Sequence, residues 1–231
     1  MIIAATSDIH GPNFFNEFVD SLKQLSVKPD LFLLAGDIIE RGMIDWYEKI
    51  HQALIEKVKC PIIACFGNNE FIPDNRIKMI NMFKDVKFLD DEAIVLEVGS
   101  ETVGIIGTIG SLDSPTRWQL EHIQNIRKIY ENRVDMVERF LKRLSTDIKI
   151  VLMHYAPTYK TLEGENYSAF PGLGSFKYES VFIKNRPTLV IHGHSHKGIK
   201  FSKIDSVPVF NVAFPVNKEI VVINTNDLKR F

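Results

Sequence analysis

The feature that most constrains the fold is a recurrence of short apolar runs, each ending in residues capable of chemistry. Ile2–Thr6 leads to Asp8 and His10, Leu31–Ala35 leads to Gly36-Asp37, and Ile62–Phe66 leads to Gly67-Asn68-Asn69-Glu70. Apolar runs this short, bounded by Gly and polar residues, predict strands buried on both faces. Between them the apolar spacing becomes helical. Phe14, Phe15, Phe18, Val19, Leu22 and Leu25 form one stripe; Ile44, Tyr47, Ile50, Leu54 and Val58 form another, within a helix expected over 43–58. A short helix is expected over 77–83. This β-α-β-α-β rhythm requires a parallel sheet covered by helices, joined by right-handed crossovers.

The pattern then changes. Ala93–Val98 and Thr102–Gly107 flank Gly99-Ser-Glu101, which predicts a hairpin. One long helix is expected from Arg117 to Leu144, with Ile123, Ile126, Ile129 (or Tyr130), Val134, Val137, Leu141 and Leu144 on its buried stripe. Ile148–Met153 is a further strand, followed by a Gly-, Pro- and Tyr-rich segment over 155–177 that is too long for a simple connector. A helix near Glu179–Lys184 follows. Thr188–Ile191, Ile199–Lys203, Val207–Asn211 and Glu219–Asn224 are short strands joined by turns, expected to be antiparallel. The fold class is α/β with mixed sheets, and residues 1–231 are read as one domain because no linker or repeat interrupts them.

Composition narrows the class without choosing an activity. The 231 residues carry 28 Lys and Arg against 29 Asp and Glu, a net charge of −1, which gives no strong nucleic-acid signature. No apolar run approaches the roughly 18 residues that cross a bilayer. Cys60 and Cys65 lie in one extended apolar segment, too far apart to bridge, and are expected as reduced core thiols. The first eight residues lack a basic leader and reach Asp8, so no signal peptide is expected and the reading is cytoplasmic.

Position gives the histidines meaning. His154 follows Ile148–Met153, and His192, His194 and His196 follow Thr188–Ile191. Five expected strands thus deliver polar groups at their carboxyl ends, which in an α/β sheet line one crevice. Two carboxylates, an amide and several imidazoles suit divalent transition metals. Alone, Asp8 or Asp37 reads equally as a helix cap between strand and helix. His192 is expected to face the interior, and His51 and His122 to lie on helix surfaces.

Asp8-Ile-His10, Gly36-Asp37-Ile-Ile-Glu40-Arg41, Gly67-Asn68-Asn69-Glu70, His154 and Gly193-His194-Ser-His196 resemble the five ordered motifs of the calcineurin-like metallophosphoesterases. The resemblance implies that family's four-layer α/β/β/α sandwich with two mixed sheets. It also implies two divalent ions, from among manganese, iron, zinc, cobalt and nickel. Asp8, His10, Asp37 and His196 would bind the first, and Asp37, Asn68, His154 and His194 the second. Asp37 and a nucleophilic hydroxide would bridge them, and the substrate would be a small phosphoester.

One position departs from the pattern. Many members carry a His where this chain has Asn69, and that His contacts phosphate and protonates the leaving group. An amide donates hydrogen bonds but transfers no proton at neutral pH. Glu70, which would orient that His, loses its partner on this reading. Asn69, Asn68 and Asp37 are the expected catalytic residues, and a phosphodiesterase is favoured. A phosphomonoesterase or phosphoprotein phosphatase using another acid, and a non-catalytic scaffold on the same fold, are the alternatives. Arg41, Asn69 and Tyr155 are the expected substrate contacts, although Arg41 reads equally as a partner of Glu40 or Asp45. The segment over 155–177 reads as either a lid or a solvated loop.

Overall fold

The computed structural model describes residues 1–70 and 73–228. In chain order the elements begin with β1 (Ile2–Thr6), α1 (Phe15–Gln24), β2 (Leu31–Ala35), α2 (Ile44–Lys57), β3 (Ile62–Cys65), α3 (Pro73–Met82) and β4 (Val86–Leu89). Next come β5 (Glu92–Val98), β6 (Glu101–Thr108), α4 (Arg117–His122), α5 (Ile126–Arg143) and β7 (Ile148–Met153). The chain continues with α6 (Lys177–Asn185), β8 (Leu189–His192), β9 (Phe201–Ile204), β10 (Val207–Asn211), α7 (Phe214–Asn217), β11 (Val221–Asn224) and α8 (Thr225–Leu228).

Two mixed sheets result. One has the order β11-β1-β2-β3-β4, the other β5-β6-β7-β8-β10-β9. Strands β1 to β4 are parallel, and β11 closes that sheet antiparallel to β1. In the second sheet β6, β7, β8 and β10 run parallel, while β5 and β9 are antiparallel edges. The antiparallel reading of the C-terminal strands therefore holds for β9 with β10 and fails for β8 with β10. The 193–206 connection, long enough to hold β9, lets β10 return parallel to β8.

Side-chain alternation builds the layers. In β2, Leu31 and Leu33 face the second sheet while Phe32 and Leu34 face the helices, and all four are buried. Ile3, Ala5, Ile63, Val103, Ile150 and Leu189 join the core between the sheets. Phe18, Leu22, Tyr47, Ile50 and Leu54 pack α1 and α2 on the first sheet. Val137, Leu141, Tyr178 and Phe182 pack α5 and α6 on the outer face of the second. The order is α/β/β/α, as expected.

The long helix is two helices. Thr116 caps α4 through a capping box with Gln119, and Asn125 adopts left-handed φ 58° before α5 begins. The apolar stripe continues across the break because Ile123 and Ile126 both pack in the small core around Ile109, Tyr130 and Tyr155. Strand β4 falls where the sequence offered only Val86-Lys-Phe-Leu89, too short to display a period. Among the described residues no helix is long and apolar enough to cross a membrane.

Candidate metal centre

The expected ligands converge at the carboxyl ends of β1, β2, β3, β7 and β8. Four of them leave ordinary backbone geometry: φ is 54° at Asp8, 45° at His10, 51° at Asp37 and 68° at His194. Left-handed non-glycine residues cost on the order of 1–3 kcal/mol each and gather at functional sites. Glycine lets backbone approach the carboxylates. A Cβ on Gly67 would collide with Asp37 Oδ1, and one on Gly193 would collide with Asp8 Oδ2.

Two donor clusters form, Asp8 with His10 and His196, and Asp37 with His154 and His194; within each, the donor atoms lie within 4.8 Å of one another. Asp8 spends Oδ2 on structure, accepting from Ser7 Oγ at 2.6 Å and His194 N at 2.9 Å. Its Oδ1 faces His196 Nε2 at 3.0 Å and His10 Nε2 at 3.7 Å. The two Nε2 atoms stand 3.3 Å apart, turned toward each other. In the second cluster Asp37 Oδ2 is 3.5 Å from His154 Nε2, and Asn68 Oδ1 is 3.0 Å from the same nitrogen. Asp37 Oδ2 also lies 3.9 Å from His10 Nε2, so one oxygen faces both clusters.

These residues fit divalent cations. Donors about 2.1 Å from an ion stand roughly 3.0–3.4 Å apart in octahedral or tetrahedral geometry; His196 Nε2 has that spacing from Asp8 Oδ1 and from His10 Nε2, while Asp8 Oδ1 and His10 Nε2 are slightly wider at 3.7 Å. Supporting contacts orient the rings. His154 Nδ1 donates to Ala35 O at 2.9 Å, because a carbonyl only accepts, and this aims Nε2 at the site. Glu40 Oε2 stands 2.9 Å from His10 Nδ1.

The buried charges shift one another. Burial would raise Asp8, but contacts from His10 and His196 hold its carboxyl well below the usual range. Burial would lower His154, yet the Asp37 carboxylate beside it pushes the imidazole up to about 9. Asp37 is buried too, and the His154 charge lowers it. His194 is pushed down to about 3 by burial and by charge on His154, and so stays neutral.

The neighbouring residues are placed as follows. Asn69 is tied to Asp37: its backbone N donates to Oδ1 at 2.7 Å and its Nδ2 to Oδ2 at 2.6 Å, while its Oδ1 accepts from Arg41 N at 3.0 Å. Glu70 has not lost its partners. It is buried and accepts from the backbone N–H groups of Asp37, Ile38, Ile39 and Gly67 at 2.7–3.2 Å. Arg41 pairs with Glu40 at 3.3 Å, and its side chain is 84% exposed. Tyr155, expected at the substrate, is instead buried, its ring edge against His194 and its hydroxyl accepting from Gln119 Nε2. His192 is buried with Nδ1 donating to Gly193 O, His51 pairs with Asp85, and His122 stacks on Trp118 at the surface.

The sequence reading missed the acceptor role of Glu70 and the contact of Glu40 with His10. Nothing in the sequence announced either, since only the fold brings Glu70 against the N–H groups of the turn after β2 and Glu40 against His10. The segment over 155–177 is hydrogen-bonded to the loop before α4. It holds two 3-10 turns, and Asp113 accepts from Tyr159 OH, Ser175 Oγ and Phe176 N within it at 2.6–3.0 Å.

The fold thus places two imidazole–carboxylate clusters at the strand ends of a double-sheet sandwich. The family model for calcineurin-like phosphoesterases matches residues 1–198, and the chain belongs to that family. Among solved structures, phosphopantetheinyl hydrolase PptH of Mycobacterium tuberculosis is similar, with TM-score 0.67 and 16% identity over 93% of this chain and 89% of that one. TT1561 of Thermus thermophilus is similar with TM-score 0.61 and 16% identity over 98% and 95% of the two chains. At these identities the likeness shows the fold. No curated protein matches the sequence.

Proposed function

We propose that the chain is a binuclear metal-dependent phosphodiesterase. The observation that carries the reading is Asp37 Oδ2, which faces His154 Nε2 at 3.5 Å and His10 Nε2 at 3.9 Å and so serves both clusters. Asp8, His10, Asp37 and His196 would hold one cation, and Asp37, Asn68, His154 and His194 the other. The pair would supply acidified water as nucleophile and positive charge for the phosphoryl group. The free thiols of Cys60 and Cys65 fit a reducing compartment, and the reading places the enzyme in the cytoplasm.

The chain's own residues argue for the ester. Asn69 stands beside the shared carboxylate but cannot deliver a proton to a leaving group. Asn68 and Asn69 would steady phosphate through their amides, which for Asn69 requires its Nδ2 to leave Asp37 Oδ2. Arg41, exposed at the rim, would add charge; Tyr155 acts from behind His194 and not on substrate. Esters whose leaving group departs without a general acid therefore suit the site.

The test is a series of aryl mono- and diesters of graded leaving-group acidity, assayed with Mn²⁺. The expected result is a preference for diesters and a steep fall in rate as the leaving group becomes less acidic. Asn69→His should flatten that dependence and raise monoesterase activity. A wild-type monoester preference with no leaving-group dependence would assign a phosphatase with its own acid. Asp37→Ala should lower kcat by at least about 10³-fold, since one substitution removes a donor from both clusters; wild-type turnover in that variant would end the assignment.

A further inference from the structure

Glu165 belongs to none of the sequence motifs, yet it ties the segment after β7 to the loop that carries His194 and His196. Its Oε1 accepts from Ser195 Oγ at 3.1 Å and from Lys197 N at 2.8 Å. Those two residues flank His196, the one exposed member of the expected ligand set, whose side chain is 40% exposed. The segments meet at backbone level. Gly164 has φ +107°, and a Cβ there would collide with Lys197 O. Ile199 N donates to Thr161 O at 3.1 Å on the far side of the same loop.

We infer that Glu165 is a positioning residue for His196. It takes one hydrogen bond on each side of the imidazole, from the Ser195 hydroxyl and from the Lys197 backbone N–H, so the ring meets Asp8 and His10 already ordered. Outer contacts that order a metal ligand are worth about 10–100-fold in metal affinity, and Glu165 supplies such order through the residues on either side of His196. The inference rests on the reading that Asp8, His10 and His196 hold a cation. One oxygen takes both hydrogen bonds, so the carbonyl of a glutamine replaces it and the negative charge is not required.

The experiment compares the full chain with Glu165→Ala, Glu165→Gln, Ser195→Ala and His196→Ala. Mn²⁺ binding is read by calorimetry, and hydrogen exchange of the Lys197 amide is read without metal. Glu165→Ala should weaken the Mn²⁺ site lost in His196→Ala by about 10–100-fold, leave the other site, and speed exchange at Lys197. Glu165→Gln should restore both, and Ser195→Ala, which keeps the Lys197 bond, should fall between. Should Glu165→Ala not fold, Ser195→Ala and Glu165→Gln decide alone: affinity ordered as wild type, Gln, then Ser195→Ala supports the role. Unchanged Mn²⁺ affinity despite faster exchange overturns it, as does a Gln variant as weak as Ala. A wild-type chain that binds no Mn²⁺ overturns the metal reading, and the inference with it. In that case normal slow exchange at Lys197 locates the failure in the metal site and not in the tie.

Discussion

Glu70 shows how one side chain can shape a site without touching its chemistry. The turn after β2 and the turn after β3 both end in backbone N–H groups with no ladder partner, and Glu70 accepts four of them with two oxygens. Its burial, with the nearby Asp37 charge, pushes the carboxyl up to about 6, and the backbone donors oppose that rise. Glu70→Gln turns one acceptor into a donor and leaves two buried N–H groups unpaired. At roughly 1–3 kcal/mol for each, the variant should lose about 2–6 kcal/mol in urea denaturation; a loss below about 1 kcal/mol would show that these bonds hold nothing. The same turn carries Asp37, so the sequence motif encodes a scaffold as well as a ligand. That part was illegible because the motif assigns Glu70 to orienting a His that this chain lacks, and the N–H groups it accepts from Asp37, Ile38 and Ile39 come from a distant turn. The position of the candidate donors was legible, since Asp8, His10, Asp37, His154, His194 and His196 each stand just past an apolar run, and the fold gathers them into two groups.

At the scale of elements, legibility followed period length. β1 and β2 were readable to the residue because their apolar runs end abruptly at polar turns. The α4–α5 break was not, because its stripe of Ile123, Ile126 and Tyr130 keeps helical spacing across a left-handed Asn125. Parallel pairing of β8 with β10 was also hidden, since strand direction depends on the path of the 193–206 connection and not on the strands' composition. Leu33 tests the layer that holds the two sheets together. It is fully buried between them, beside Ala5 and Ile63. Leu33→Ala should cost about 2–5 kcal/mol by transfer and cavity terms, read as a shifted denaturation midpoint at unchanged slope. A shift under about 0.5 kcal/mol would mean that the inter-sheet core is not packed as described.

For the whole molecule, charge links the site to stability. Despite burial, His154 is held up to about 9 by Asp37, well above its ordinary 6.5, and His10 is raised by Asp8 and its neighbours. A raised imidazole stabilises the fold fully below the unfolded value and loses that contribution as pH climbs through the folded one. With chelator present, stability should therefore fall between pH 6.5 and 9; a rise across that window would contradict the pairing of His154 with Asp37. Cation binding to the same imidazole must expel its proton, so binding at pH 7 should release protons to buffer. The two sheets meet in one crevice, and the central claim is that Asp37 makes that crevice a single two-ion site. Electron paramagnetic resonance of the chain titrated to saturation with Mn²⁺ tests this most directly. Ions about 3.5–4 Å apart sharing one carboxylate should give a spin-coupled spectrum at two ions per chain, lost in Asp37→Ala. An uncoupled six-line spectrum at saturation, or one ion per chain, would contradict the account.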